Sequence, residues 1–505
     1  MGKIAILETR YGRAKARTAE ENQKKEDAAV PYNKITPEIA ARLRACVGEG
    51  RFYVKDEIDP NYSHDEMPIY GKHMPDAAVD VETTEEISAI MKICFENKIP
   101  VTCRGAGTGL VGGCVPLAGG LVLCTKRMNK ILEYDMDNLV VRIQPGVLLK
   151  DLAADALKRG LMYPPDPGEK TATVGGNIST NAGGMRAVKY GVTRDYVLAM
   201  TVVLADGRVI ELGKSVSKTS SGYSLLHLMI GSEGTLGIIT EMTMKLIPNP
   251  KCDVSCLVPF RTVEDCISFV PQIKLANLDP QSIEFMDADI VASSAAFTGN
   301  PIFPARVREE DVGASLLVTF TGYDEDELDQ KMIKLGELAT GAKALDVLVV
   351  ATSSNKKNAW AARSSFLTVI EAETKLVDEM DVVVPVDKIP AFLIYIRGIG
   401  EEVGIRLRNF GHAGDGNLHI YCCSNDLEEE EFKRRVKIIM DKAYAKCAEL
   451  EGQVSGEHSI GHAKMVYLRE SVGEDVFQLM GAIKDVFDPD HILNPGKVCD
   501  STLAR

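Results

Sequence analysis

RGAGTGLVGG, residues 104–113, sets five glycines in ten positions directly behind the strand-like PVTC of residues 100–103. Glycine reaches left-handed backbone angles and permits close approach where a side chain would collide. Successive exposed N–H groups in such a loop form a concave anion site, and the anion expected for a loop of this length is a nucleotide phosphate. The decisive question is which kind of loop this is.

Gly107, Gly109 and Gly112 satisfy the pattern GxGxxG, but the Rossmann fingerprint needs a helix to open at the loop and an acidic residue about 20 positions on. Here Val115, Pro116 and the pair Gly119-Gly120 follow, and a helix does not tolerate them. Strand-like LVLCT (121–125), ILEYD (131–135) and LVVRIQPG (139–146) come next, separated by polar turns. A Rossmann site is therefore rejected. Upstream, Thr83 and Thr84 precede Glu85 and Glu86, and Ile87, Ile90, Met91 and Cys94 recur at helical spacing, which predicts an N-capped helix leading into PVTC. The same reading predicts a short amphipathic helix over Thr36–Cys46 and a strand in RFYVKD (51–56).

Two further glycine-rich segments follow, PPDPGEKTATVGGNISTNAGG (164–184) and GSEGTLGIITE (231–241). Between residues 104 and 239 lie 21 of the chain's 43 glycines, so three loops are expected to converge on one long ligand. Between them YVLAMTVVLADGRVIEL (196–212) predicts a hairpin turning at Asp206-Gly207, and the strands are expected to join one mixed sheet. After Pro248-Asn249-Pro250 the glycine density drops. Strand-like CDVSCLVPF (252–260) and ASLLVTFTG (314–322) then alternate with charged helical stretches such as DEDELDQKMIKLGELAT (324–340), which predicts an antiparallel sheet faced by helices.

Composition narrows the class. At about 150 residues per domain, 505 residues imply two to four units. A net charge of -14 argues against a nucleic-acid partner. The 12 cysteines are scattered without a CxxC, which reads as a reduced, cytoplasmic chain without its own iron–sulfur module. No run approaches the roughly eighteen apolar residues that span a bilayer. Met1–Val30 lacks a signal-peptide core and reads as a charged helical extension.

Four of the eight histidines fall in two short glycine-bearing segments, GHAGDGNLH (411–419) and SGEHSIGH (455–462). Imidazoles beside a carboxylate suit a divalent zinc, manganese or iron, and open positions on such a metal would be catalytic. A tight turn around Asp415 whose histidines merely pack is the alternative.

Taken together, these segments resemble the flavin-binding family typified by vanillyl-alcohol oxidase, in its D-2-hydroxyacid dehydrogenase branch, over nearly the whole chain after the N-terminal arm. The resemblance implies an α+β fold: a charged extension (1–34), a two-part FAD-binding domain (35–250), a cap domain with an antiparallel sheet (251–455), and a C-terminal segment (456–505) returning to the FAD domain. It implies that Arg104, Gly105, Ala106, Gly107, Thr108, Gly109, Gly112 and Gly113 line the FAD pyrophosphate. Gly168, Thr173, Gly175, Gly176, Asn181 and Gly184 would continue along the cofactor, Gly234, Ile238 and Ile239 would meet it by backbone, and Asn494 and Lys497 of FDPDHILNPGK (487–497) would flank the flavin. The first loop has no histidine, so FAD is expected to bind noncovalently.

By the same resemblance His412, His419 and Glu457 are metal ligands, His458 is the general base, and Arg363 of WAARSSF (360–366) holds the substrate carboxylate. Relatives acting on 2-hydroxyglutarate carry an Asn and a Lys in regions held here by Tyr421 and Glu379. A short monocarboxylate, D-lactate first and glycolate next, is therefore expected. D-2-hydroxyglutarate oxidation and a non-catalytic FAD electron relay are the alternatives. The partners expected are a small 2-hydroxy acid and an external electron acceptor, with electron-transferring flavoprotein the first candidate. A homodimer is the assembly to test.

Overall fold

The computed structural model describes residues 32–350 and 352–503; the extension expected over 1–34 lies outside the described residues up to Pro31. Thr83 accepts the Glu86 N–H and caps the helix Thr84–Glu96, whose Ile87, Ile90, Met91 and Cys94 are fully buried. This helix is the crossover that lets Ala77–Asp80 and Val101–Arg104 run parallel, each hydrogen-bonded to Leu121–Cys124 between them. Phe52–Val54 pairs antiparallel with Ala77–Asp80 and completes a four-stranded sheet.

Beyond Cys124 several connections shorten to turns, which antiparallel pairing accommodates and parallel pairing does not. The following strands accordingly form a separate antiparallel sheet in the order Ile131–Asp135, Val140–Ile143, Ile238–Lys245, Val197–Val203, Val209–Gly213. This corrects the single mixed sheet expected from the sequence. The hairpin turns at Asp206-Gly207, with Gly207 at φ +82°. No helix forms between Gly105 and Gly120, as the rejected Rossmann reading requires.

From Cys252 a seven-stranded antiparallel sheet begins, in the order Leu348–Val350, Cys252–Phe260, Ala314–Gly322, Ser282–Asp287, Arg406–His412, Asn417–Ser424, Leu376–Val383. Its pleat sorts the side chains by parity. Phe285, Ile420, Cys422, Met380 and Val382 enter a large core with the long helices Ile389–Val403 and Glu429–Glu449. Their neighbours Glu284, His419, Tyr421, Glu379 and Asp381 therefore point to the other face. There Phe410 and Tyr421 pack with the helices Ala288–Thr298, Ser353–Ser364 and Phe366–Glu373.

The chain then returns. Tyr467, Leu468 and Phe477 still pack with the large core of the seven-stranded sheet, whereas Ile492–Asn494 runs beside Val101: the Val101 N–H donates to the Ile492 carbonyl at 2.7 Å, and the Asn494 N–H to the Val101 carbonyl at 2.8 Å. Among the described residues no helix is long and apolar enough to cross a membrane.

Candidate active site

The three glycine segments and the polar face of the seven-stranded sheet enclose one cavity of about 510 Å³. Gly105, Ala106, Gly107, Thr108, Gly109 and Gly113 line it from the first segment, Gly168, Thr173, Gly175 and Gly176 from the second, and Gly234, Ile238 and Ile239 from the third. The glycines are sterically required at two points. A Cβ on Gly105 would lie 2.3 Å from Thr173 Oγ1, and Gly107 combines φ +83° with a Cβ position 2.0 Å from the Arg104 guanidinium. Thr173 also caps the helix Val174–Thr180 by accepting the Gly176 N–H. Asn177 on that helix is buried, lines the cavity, and has an Nδ2 without a hydrogen-bond partner. A bare backbone cradle with an unsatisfied buried donor suits an extended phosphate-bearing cofactor such as FAD.

Six residues expected along FAD do not line the cavity; they position the loops instead. Arg104 donates to the His64 carbonyl at 2.7 Å and lies 3.1 Å from Cys114 Sγ, bracing the first loop from behind. The Gly112 N–H donates to Asp65 Oδ2 at 2.6 Å, and a Cβ there would strike the His462 ring. Asn181 takes φ 52° to end the helix Val174–Thr180, and Gly184 packs against the Asp166 carbonyl. Asn494 donates to the carbonyls of Gly113 and Glu233, both at 2.8 Å, tying the first loop to the third. Lys497 likewise donates to the Val115 carbonyl at 2.6 Å.

At the other end stand the histidines. The hairpin of Arg406–His412 and Asn417–Ser424 pairs Phe410 with His419 and His412 with Asn417, so His412 and His419 share a face two residues apart in register. Their Nε2 atoms are 3.4 Å apart, and each lies 3.2 Å from Glu457 Oε1. These three side chains can hold a divalent cation. Glu457 and His458 sit on a short segment fixed by Asp381, whose Oδ2 accepts the N–H groups of Gly456, Glu457 and His458 at 2.9, 3.0 and 2.9 Å, and the Ser455 hydroxyl at 2.7 Å. His412 Nδ1 faces both oxygens of Glu284, at 2.9 and 3.0 Å, which fixes its tautomer and leaves Nε2 as a ligand atom.

The electrostatics follow from this packing. Burial alone would lower the His412 pKa, but the Glu284 and Glu457 carboxylates raise it well above the usual imidazole range. Burial would raise Glu457, yet His412 and His419 hold it well below the usual carboxylate range. At His458, burial is outweighed by Glu379 and Asp381, which raise it to about 9, and Glu379 is drawn down to about 2 by His458 and Lys464 against its own burial. A cluster this rich in negative charge favours an added cation.

Arg363 lines the cavity, 5% exposed, with its guanidinium 4.8 Å over the Phe410 ring, one NH2 on Glu284 Oε2 at 2.6 Å, and a buried Nε without a hydrogen-bond partner. Among the described residues it is the only lysine or arginine lining the cavity. Glu379, which from the sequence bears only on substrate choice, has its Oε1 3.1 Å from His458 Nδ1. Sequence reasoning missed Asn177, Glu284, Asp381 and Glu371. Only Asn177, four residues after a capping Thr173 in a glycine-rich run, carried a local signal.

A glycine-loop cradle closed by a sheet that presents histidines and carboxylates defines an FAD-linked oxidoreductase. Residues 75–213 match the family described as FAD binding domain, and residues 249–498 match FAD linked oxidases, C-terminal domain. The chain is 55% identical over 468 residues to a D-lactate dehydrogenase of Anaerostipes hadrus, covering 93% of this chain and 98% of that one. It is 38% identical over 470 residues to the glycolate oxidase subunit GlcD of Bacillus subtilis, covering 92% and 97%. Among solved structures, p-cresol methylhydroxylase with substrate bound matches the fold with a TM-score of 0.75 at 19% identity, covering 92% of this chain and 96% of that one. The chain belongs to the FAD-linked oxidases, in the branch of the D-lactate dehydrogenases and glycolate oxidase subunits.

Proposed function

We propose that the chain oxidises a short D-2-hydroxy monocarboxylate, D-lactate before glycolate, to the 2-oxo acid, and passes the electrons to an external acceptor. One observation carries the reading. A single cavity is lined by the glycine loops and by one arginine, Arg363, beside His412, His419, Glu457 and His458.

Arg363 binds the substrate carboxylate through charge-assisted hydrogen bonds from its free donors, and Phe410 and Tyr421, stacked at 5.4 Å, shield the carbon to be oxidised from water. His458, its Nδ1–H given to Glu379, takes the hydroxyl proton at Nε2. FAD supplies the acceptor for the hydride that leaves the substrate carbon. A divalent metal held by His412, His419 and Glu457 would acidify the substrate hydroxyl and, by its charge, favour a proton-free His458.

Among the described residues the cavity is lined by no second lysine or arginine for a second substrate carboxylate, and Glu66 and Glu371 line it as well, which supports a monocarboxylate over 2-hydroxyglutarate. An external carrier, electron-transferring flavoprotein by the family resemblance, is the proposed acceptor. The deciding experiment mixes the purified protein anaerobically with D- and L-lactate, glycolate, and D- and L-2-hydroxyglutarate while recording the flavin's visible absorption. Rapid bleaching by D-lactate is expected. No bleaching by any 2-hydroxy acid would leave only the relay reading.

A further inference from the structure

Glu284 is fully buried on the strand Ser282–Asp287 and stands opposite His412 in the neighbouring strand. Its carboxylate serves two donors at once: both oxygens face His412 Nδ1, at 2.9 and 3.0 Å, and Oε2 also accepts from Arg363 at 2.6 Å. We infer that Glu284 is a positioning residue that couples the substrate-carboxylate anchor to the metal-ligating imidazole. The inference rests on the roles proposed above for His412 and Arg363.

An ion pair buried for stability alone is a poor device, because desolvation offsets most of its attraction; the arrangement here does something a pair cannot. Arg363 comes from the helix Ser353–Ser364 and His412 from a strand end. Nothing in their local sequence fixes the distance between them. A shared acceptor does. With one NH2 tied to Glu284 and the guanidinium held over Phe410 at 4.8 Å and Phe366 at 5.4 Å, Arg363 keeps its remaining N–H donors, the unpartnered buried Nε among them, for substrate. With Nδ1 tied to the same carboxylate, His412 presents Nε2 to the cluster. The two groups that would grip the two ends of one hydroxy acid are thereby held in a fixed relation.

The test is Glu284→Gln in the FAD-loaded protein. The amide keeps the shape but has one acceptor oxygen for the two donors. Two equilibrium constants are measured: zinc affinity, by competition with a chromophoric chelator, and pyruvate affinity of the metal-stripped protein, by perturbation of the flavin spectrum. The expected result is a roughly 10–100-fold loss of zinc affinity together with weaker pyruvate binding, while FAD content stays at the wild-type value. If either constant is unchanged, Glu284 serves one partner only and the coupling is overturned. If the wild-type protein holds no zinc in the same titration, it is the ligand reading that falls, a distinguishable result. Should Glu284→Gln not load FAD, Glu284→Asp keeps the charge but withdraws it from both partners, and the same two losses are required of it.

Discussion

His458 Nδ1 stands 3.1 Å from Oε1 of Glu379, so the buried carboxylate fixes the ring's tautomer and leaves Nε2 as the atom that takes a proton. Replacing His458 with Gln is expected to slow flavin reduction by D-lactate by roughly 10²- to 10⁴-fold, the usual worth of a positioned base, with FAD still bound. Anaerobic stopped-flow absorption measures this, and an unchanged reduction rate would remove His458 from the chemistry.

Arg363→Met should act on binding. A hydrogen bond to a charged group is worth about 1.5–3 kcal/mol, so the KM for D-lactate is expected to rise roughly 10- to 100-fold. Arg363→Lys should restore little, because an ammonium cannot reproduce the planar fork held between Glu284 and the Phe410 ring. Steady-state kinetics with a saturating artificial acceptor separates KM from kcat.

Exhaustive chelation is expected to abolish D-lactate-dependent bleaching while leaving the oxidised flavin spectrum intact, and return of zinc, manganese or iron salts in turn should identify the metal. His412→Ala should behave as the chelated protein does. Full activity in both would refute the assignment of His412, His419 and Glu457.

The segment that carries the base should loosen in acid. His462 packs edge-on to Tyr70 at 6.1 Å; burial first, then the positive charges of Lys497 and His73, lower its pKa from 6.5 to about 4. The unfolded chain binds a proton near 6.5 that the folded one refuses, so the contribution is intact above that pH and is lost as pH falls toward 4. Between pH 7 and pH 5 the loss is about 2 kcal/mol. Urea unfolding of wild type and His462→Gln at the two pH values tests this. The variant should show a smaller drop by that amount.

The sequence was most legible where function depends on contiguous residues. RGAGTGLVGG, the Asp206-Gly207 turn and the two histidine segments are each read within a dozen positions, because backbone angles and strand pairing to near neighbours decide them. What stayed hidden depends on register between distant strands. Glu284 meets His412 across 128 positions, and Asp381 gathers the 455–458 turn across 74 to 77. Nothing local distinguishes those acids from the many others in an acidic chain. Arg104 and Asn494 were legible as important but not as supports, since only the packed loops reveal which side of the backbone a side chain takes.

The grip of Asn494 on Gly113 spans 381 positions and that of Lys497 on Val115 spans 382. During synthesis, therefore, the first glycine loop waits for residues 494–497, nearly four hundred positions on, to leave the ribosome before it is clamped. Capture of FAD in its finished cradle cannot precede the synthesis of residues 494–497. A chain cut after Phe487 would make every strand of the three large sheets and still lack the lock that joins cofactor loops to one another.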